Sequence, residues 1–184
     1  MNKKPYKLGV IVGRFQTFHT GHEEIISKAI ELCEEVGIFI GSSQESGTLK
    51  NPFSYEIRKR ILTKIFDDKI NIYPLPDIGV GNTSAWGDYV LKNVYERFNK
   101  GPDLLVSGKE SRRIDWFDSL HGPLVAELYI PKTIDVSATQ MRDHLINGEL
   151  EEWKKYTNPK LWNEYEELRN TVYSCKDNLE TASI

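Results

Sequence analysis

With 184 residues, 39% hydrophobic and 28% charged, the chain is long enough for one domain with a substantial core, or one domain plus a small appendage, of soluble globular composition. A net charge of −3 gives no broad basic field, which argues against nucleic acid as the main partner. The basic start Met1-Asn2-Lys3-Lys4-Pro5-Tyr6-Lys7 precedes an apolar run too short for a secretory leader, no stretch could span a membrane, and the cysteines Cys33 and Cys175 suggest neither a disulfide framework nor a thiolate metal site, so the cytoplasm is the expected compartment.

Leu8-Gly9-Val10-Ile11-Val12 is a continuous, β-branched apolar run, the pattern of a strand buried on both faces. Beyond it Ile25, Ile26, Ala29, Ile30, Leu32, Cys33 and Val36 recur at helical spacing, with Cys33 on the apolar face and Gly37 placed to stop the helix. Thr20 is positioned to cap that helix, with Glu23 completing a capping box, which puts Gly21 and His22 in the first turn. Unpaired N–H groups and the positive end of the helix dipole favour an anion there. Gly21 has no side chain to keep a phosphate away, while His19, His22 and the upstream Arg14 point cationic or hydrogen-bonding groups into the same space. The stretch from Gly13 to Glu24 suits a polyphosphate, and the rest of the chain is organised around it. The isolated His121 and His144 read as ordinary surface or core residues.

A second apolar run, Ile38-Phe39-Ile40, leads into the small, polar Gly41 to Thr48, typical of a ligand loop at the C-terminal edge of an open α/β sheet. Pro52 biases Asn51 away from helix and Ser54 caps a helix from Tyr55 to Phe66, with Ile57, Ile61, Leu62 and Ile65 on one face and Arg58, Lys59, Arg60 and Lys64 on the wet side. Ile70 to Leu75 reads as a third strand. The Gly/Pro-rich Pro76 to Ser84 then opens a helix carrying Trp86, Tyr89, Val90, Val94, Tyr95 and Phe98. Its glycines lack the strand-glycine-helix setting of a dinucleotide fingerprint, and Gly108-Lys109 lacks the preceding glycine of a P-loop.

Asp103 to Gly108 is the fourth strand, Lys109 to Leu120 includes a helix, and Leu124 to Ile130 is the fifth strand. Ser137-Ala138-Thr139-Gln140 forms a second capping box, starting a short helix that carries Arg142 in its opening turns and ends at Asn147-Gly148. Trp153, Tyr156, Leu161, Trp162, Tyr165 and Leu168 then mark helices that pack on the main domain, and Asp177 to Ile184 reads as frayed. Alternating strands and helices predict an α/β fold: a Rossmann-like, doubly wound, parallel five-stranded sheet with right-handed crossovers. Residues 1–148 form the α/β domain and 149–184 a C-terminal helical extension packing on it.

The segment Gly13-Arg14-Phe15-Gln16-Thr17-Phe18-His19-Thr20-Gly21-His22 resembles the His-x-Gly-His signature of the nucleotidylyltransferase superfamily. Its longer form is most similar to the archaeal-type nicotinamide mononucleotide adenylyltransferases, whose bacterial relatives are often fused to a Nudix hydrolase domain. The stretch Ile134 to Arg142 resembles the family's second motif, Ser-x-Thr-x-x-Arg, and the resemblance covers roughly Leu8 to Trp162. It implies transfer of AMP from ATP to nicotinamide mononucleotide, giving NAD and pyrophosphate in NAD biosynthesis, with Mg2+ accompanying ATP and no protein metal site. That chemistry needs no side-chain nucleophile, because the acceptor phosphate is itself anionic; it needs orientation and charge stabilisation.

By the same resemblance His19, His22, Arg14 and Arg142 are catalytic, and Gly13, Arg14, Phe15, His19, Gly21, His22, Ser137, Thr139 and Arg142 bind ATP. Ser42, Asp77, Asn82 and Trp86 hold the mononucleotide, with Trp86 stacking on the pyridinium ring and Trp116 as runner-up. Thr17 stands where many relatives have proline, a change expected to matter little. Lys109-Glu110-Ser111-Arg112-Arg113 departs from the archaeal pattern, and the roughly twenty residues beyond Trp162 leave no room for a Nudix domain. Nicotinic acid mononucleotide, flavin mononucleotide and phosphopantetheine are the alternative acceptors, and a non-catalytic nucleotide sensor is the alternative class. The composition is compatible with a homo-oligomer.

Overall fold

The computed structural model describes residues 3–108, 116 and 125–181. Five strands, β1 (Tyr6–Gly13), β2 (Cys33–Gly41), β3 (Asn71–Leu75), β4 (Leu104–Ser107) and β5 (Ala126–Tyr129), form one parallel sheet in the order β3-β2-β1-β4-β5. The chain winds outward from β1 to β3, then crosses back to lay β4 on the other side of β1. That reversal opens a crevice at the C-terminal ends of β1 and β4, where open α/β sheets bind ligands.

Alternation along the strands sends side chains to two cores. On one face Ile11, Ile38, Ile40, Leu104 and Val106 pack with α1 (Thr20–Leu32), α2 (Tyr55–Phe66) and α4 (Ala138–Asn147). On the other, Leu8, Val10, Phe39, Leu75 and Leu105 pack with Val90 and Val94 of α3 (Ser84–Phe98) and with Trp116. Helices therefore cover both faces, as the alternating pattern predicts. The first core extends into α5 (Leu150–Lys155), a 3-10 segment (Pro159–Glu164) and α6 (Tyr165–Thr181), whose Trp153, Leu161, Tyr165, Leu168 and Val172 are all buried in it. Among the described residues no helix is long and apolar enough to cross a membrane.

The local signals for α2 and α4 operate as read. Ser54 accepts from the Ile57 amide at 3.3 Å, the Ser137 hydroxyl and Gln140 form a complete capping box, and Gly148 closes α4 with φ 73°. Three expectations are corrected. α1 ends at Leu32, and Cys33, Val36 and Gly37 belong to β2, because the helix passes into the strand without a loop and the two apolar patterns merge. Gly37 stops nothing: a Cβ there would lie 2.9 Å from the Phe98 ring, so the glycine admits an α3 side chain onto the sheet. Arg58 does not face water; it is fully buried. In addition α6 stays helical to Thr181, past the expected fraying at Asp177. The expected helix from Lys109 to Leu120 lies, apart from Trp116, outside the described residues, as do His121 and the Lys109 to Arg113 stretch.

Candidate active site

The crevice is a cleft of about 500 Å3. Gly13, Arg14, Phe15, His19, Gly21 and His22 line one part of it; Ser42 just after β2, Asp77 and Asn82 between β3 and α3, and Trp86 in the first turn of α3 line another. Arg142 and Ala138 of α4 also reach it, so the fold brings the two motifs together across more than a hundred residues of chain. Ser137 and Thr139 are not part of the wall. The Ser137 hydroxyl is engaged in the cap, and Thr139 Oγ1 accepts from Arg142 Nη2 at 3.1 Å, orienting the guanidinium that does line the cleft.

β1 turns sharply into α1. Phe15 adopts φ 50°, in the left-handed region that a residue with a Cβ rarely visits. This buries its ring together with that of Phe18, and the two rings lie 5.2 and 5.6 Å from the His22 imidazole. His19 stacks on His22 with ring centroids 3.9 Å apart. Gly21 makes room for that stack, since a Cβ there would stand 3.1 Å from the His19 ring. Two imidazoles this close and this dry cannot both be charged. Burial, and secondarily the charge of Lys132, holds His19 down to about 4; burial and then His19 hold His22 well below the usual histidine value. The free protein thus presents neutral imidazoles rather than the cations the sequence allowed. Nδ1 of each ring is buried without a hydrogen-bond partner among the described residues.

The expected cap at Thr20 is a further correction. His19, with extended backbone, is the N-cap, and its carbonyl accepts from the amides of His22 (2.9 Å) and Glu23 (3.2 Å). Glu23 cannot complete a capping box because its carboxylate accepts from Asn158 Nδ2 at 2.7 Å, while the Thr20 amide donates to the Tyr156 carbonyl at 2.8 Å. Among the described residues, the first-turn amide without a partner is that of Gly21, and at α4 those of Ala138 and Thr139 are free. Gly21 and Ala138, which both line the cleft, thus place unpaired helix-start amides beside it. Thr17, 3% exposed, ties them together: its hydroxyl donates to the Ala138 carbonyl at 2.9 Å. A proline at this position could not make this bond.

On the other side of the cleft, Gln44 grips the Asp77 backbone from both directions, accepting from its amide at 2.9 Å and donating to its carbonyl at 3.3 Å. Trp86 is half-buried in the wall and meets Trp116 edge-on, ring centroids 6.4 Å apart at 80°. Trp116 Nε1 donates to Asn82 Oδ1, so Trp116 both lines the cleft and orients a candidate ligand group. Lys50 and Lys132 line the cleft without having been singled out; Lys132 is paired with Asp135 at 2.9 Å. Cations in loops leave no periodic trace, and only proximity of Lys132 to the second motif could have pointed to it. Gln16, buried at 4%, clasps the Phe53 backbone, accepting from its amide at 2.9 Å and donating to its carbonyl at 3.2 Å. No group of three or more His, Cys, Asp or Glu side chains among the described residues could hold a metal ion.

This is a cleft at the C-terminal edge of a parallel sheet, lined by the starts of two helices and by aromatic side chains, the place where open α/β proteins bind their ligands. The chain belongs to the cytidylyltransferase-like family, whose model matches residues 10–143. It is 33% identical over 148 residues to the nicotinamide-nucleotide adenylyltransferase of Thermococcus onnurineus, covering 78% of this chain and 74% of that protein. It is 34% identical over 146 residues to the enzyme of the same name from Pyrococcus horikoshii, covering 77% and 74%. Among solved structures it is similar to the bifunctional NMN adenylyltransferase/ADP ribose pyrophosphatase of Francisella tularensis, with a TM-score of 0.77 at 27% identity over 97% of this chain. The complex of that protein with AMP and a manganese ion gives 0.74 at 25% over 96%. The chain spans about half the length of the Francisella protein, 55% and 54% in the two structures.

Proposed function

We propose that this protein is a nicotinamide-nucleotide adenylyltransferase, joining the AMP of ATP to nicotinamide mononucleotide to give NAD and pyrophosphate. The observation that carries the reading is the stacked, neutral His19–His22 pair at a helix start, with Arg14 and Arg142 lining the same cleft. The names of the archaeal relatives support the acceptor.

In this reading an oxygen of the acceptor's 5′-phosphate attacks the α-phosphorus of ATP, the bond from that phosphorus to the β-phosphate bridging oxygen breaks, and pyrophosphate leaves with the electron pair. No proton need be removed from the attacking phosphate, so catalysis rests on alignment and on neutralising charge. Neutral imidazole N–H groups of His19 and His22 donate to phosphate oxygens, the amides of Gly21 and Ala138 bind the anion, and Arg14 and Arg142 hold the charge that grows on the leaving group. Mg2+ arriving with ATP would supply further neutralisation of the phosphates. Ser42, Asp77, Asn82 and Trp86 receive the mononucleotide, the indole stacking on the cationic ring. Incubation with ATP, Mg2+ and a panel of phosphorylated acceptors, read by product mass and pyrophosphate release, tests the reading. NAD from nicotinamide mononucleotide is expected; transfer confined to flavin mononucleotide or phosphopantetheine, or none at all, would overturn it.

A further inference from the structure

Arg58 is a fully buried guanidinium that does not line the cleft and meets no carboxylate among the described residues. Its donors are spent on backbone carbonyls. Nη1 donates to Arg14 (3.0 Å) and Gly41 (2.9 Å), Nη2 to Ser42 (3.2 Å) and Glu45 (3.4 Å), and Nε to Ser54 (3.2 Å). Burying a charge this way is costly unless many hydrogen bonds satisfy it; beside the bond to Ser54 at the cap of its own helix, the other four go to two separate segments. One is the turn after β1, the other the chain that leaves β2.

Both segments carry a residue in the left-handed region, and neither is glycine: Phe15 at φ 50° and Ser42 at φ 46°. Such backbone persists only where its surroundings over-determine it. Arg58 binds the carbonyl immediately before each of these residues, Arg14 and Gly41, through a single nitrogen, and binds the Ser42 carbonyl through the other. Because a trans peptide holds C=O and N–H in opposite directions, it also sets the direction of the Phe15 and Ser42 amides. The guanidinium is planar and rigid, so the spacing between the two segments is fixed by covalent geometry. Gln16 does not duplicate this, since it reaches Phe53 and not the strained positions. Burial lowers Arg58 to about 10, which leaves it charged at neutral pH and able to donate through every N–H.

We propose that Arg58 is the positioning residue of the transfer reaction, locking the ATP-side turn at Arg14-Phe15 to the acceptor-side turn at Gly41-Ser42 so that the attacking phosphate and the α-phosphorus are held in register. This rests on the adenylyl-transfer reading above. The loss expected from its removal falls on alignment of two bound substrates rather than on the binding of either.

Arg58→Lys is the decisive variant, because it keeps the charge and the stem but has one nitrogen and cannot fork between the segments. It should remain folded, with kcat lowered at least about tenfold while ATP and mononucleotide affinities, each titrated alone, change less than about threefold. Arg58→Ala should lose more, and methylguanidinium should restore part of its kcat, which a general loss of stability would not allow. Hydrogen exchange of the free protein supplies a readout independent of turnover: peptides covering 13–16 and 41–46 should both exchange faster in Arg58→Lys. If the wild type transfers AMP to no acceptor, the functional reading fails while exchange still decides whether Arg58 ties the segments. Wild-type kcat in Arg58→Lys, or unchanged exchange in both segments, would overturn the proposal.

Discussion

Gly87, near the start of α3, lies directly against the backbone of Trp116. A Cβ on Gly87 would fall 1.8 Å from the Trp116 carbonyl oxygen and 2.5 Å from its carbonyl carbon. Real Cβ contacts of this kind stay beyond about 3 Å, so Gly87→Ala must drive α3 and Trp116 apart by at least about 1 Å. Both atoms are backbone, so rotamer changes cannot relieve the clash. Overpacking of this kind costs roughly 1–3 kcal/mol. The displacement falls on the proposed acceptor pocket, because Trp86 precedes Gly87 and Asn82 is hydrogen-bonded to Trp116. If the strain is released by distorting that pocket, affinity for nicotinamide mononucleotide should drop about five- to 150-fold, while affinity for ATP, proposed to bind on the opposite wall, should change little. Calorimetric titration of each nucleotide, with a thermal melt of the free protein, measures both terms. Unchanged mononucleotide affinity together with an unchanged Tm would refute the contact and the placement of the pocket.

His22→Ala should lower kcat at least about a hundredfold with a much smaller effect on nucleotide binding, as expected for a group that acts chiefly on the transition state; steady-state kinetics beside equilibrium titration decides it. Trp86→Ala should weaken mononucleotide binding by about 0.5–2 kcal/mol, with Trp86→Phe losing less; equal affinity in all three proteins would remove Trp86 from the pocket. Stability should depend on pH through His19. Its folded value, about 4, lies below the unfolded value near 6.5, so above 6.5 both states are neutral and the full stability is present. As pH falls from 6.5 towards 4 only the unfolded chain takes up the proton, and up to about 1.4 kcal/mol is lost per pH unit, with His22 adding in the same direction. Urea unfolding between pH 7 and 4.5 should give a flatter profile for His19→Asn than for the wild type; superimposable profiles would show that His19 is not the titrating group.

The sheet, its helices and the two motifs were legible because their signals are local. A β-branched run, a serine three residues before a free amide, or apolar residues at helical spacing acts within a dozen positions, and β1, α2 and α4 form where those signals stand. The misreadings share a different cause. Thr20 and Glu23 have the spacing of a capping box, but Asn158, 135 residues away, takes the carboxylate. Arg58 sits among the charges of α2 and reads as solvated; its partners are carbonyls of two loops that only the folded sheet brings beside it. Thr17 carries no sequence mark of the bond its hydroxyl makes to Ala138 at the start of α4. In each case the deciding partner is distant in sequence and is a backbone or polar group without a compositional mark. The electrostatic state of the histidine pair was hidden for the same reason, since it depends on how dry Phe15 and Phe18 keep the cleft wall.

The neutral stack of His19 on His22 also ties nucleotide affinity to acidity in the proposed reading. With no anion beside them both imidazoles are held neutral near neutral pH, and a triphosphate placed against them would shift one of the two towards its protonated form. By linkage, ATP binding would then tighten as the medium is acidified towards that shifted value, until the phosphates themselves are protonated. Near neutrality the pair would still act as neutral N–H donors, and the heat of binding would acquire a buffer-dependent part only as the pH is lowered.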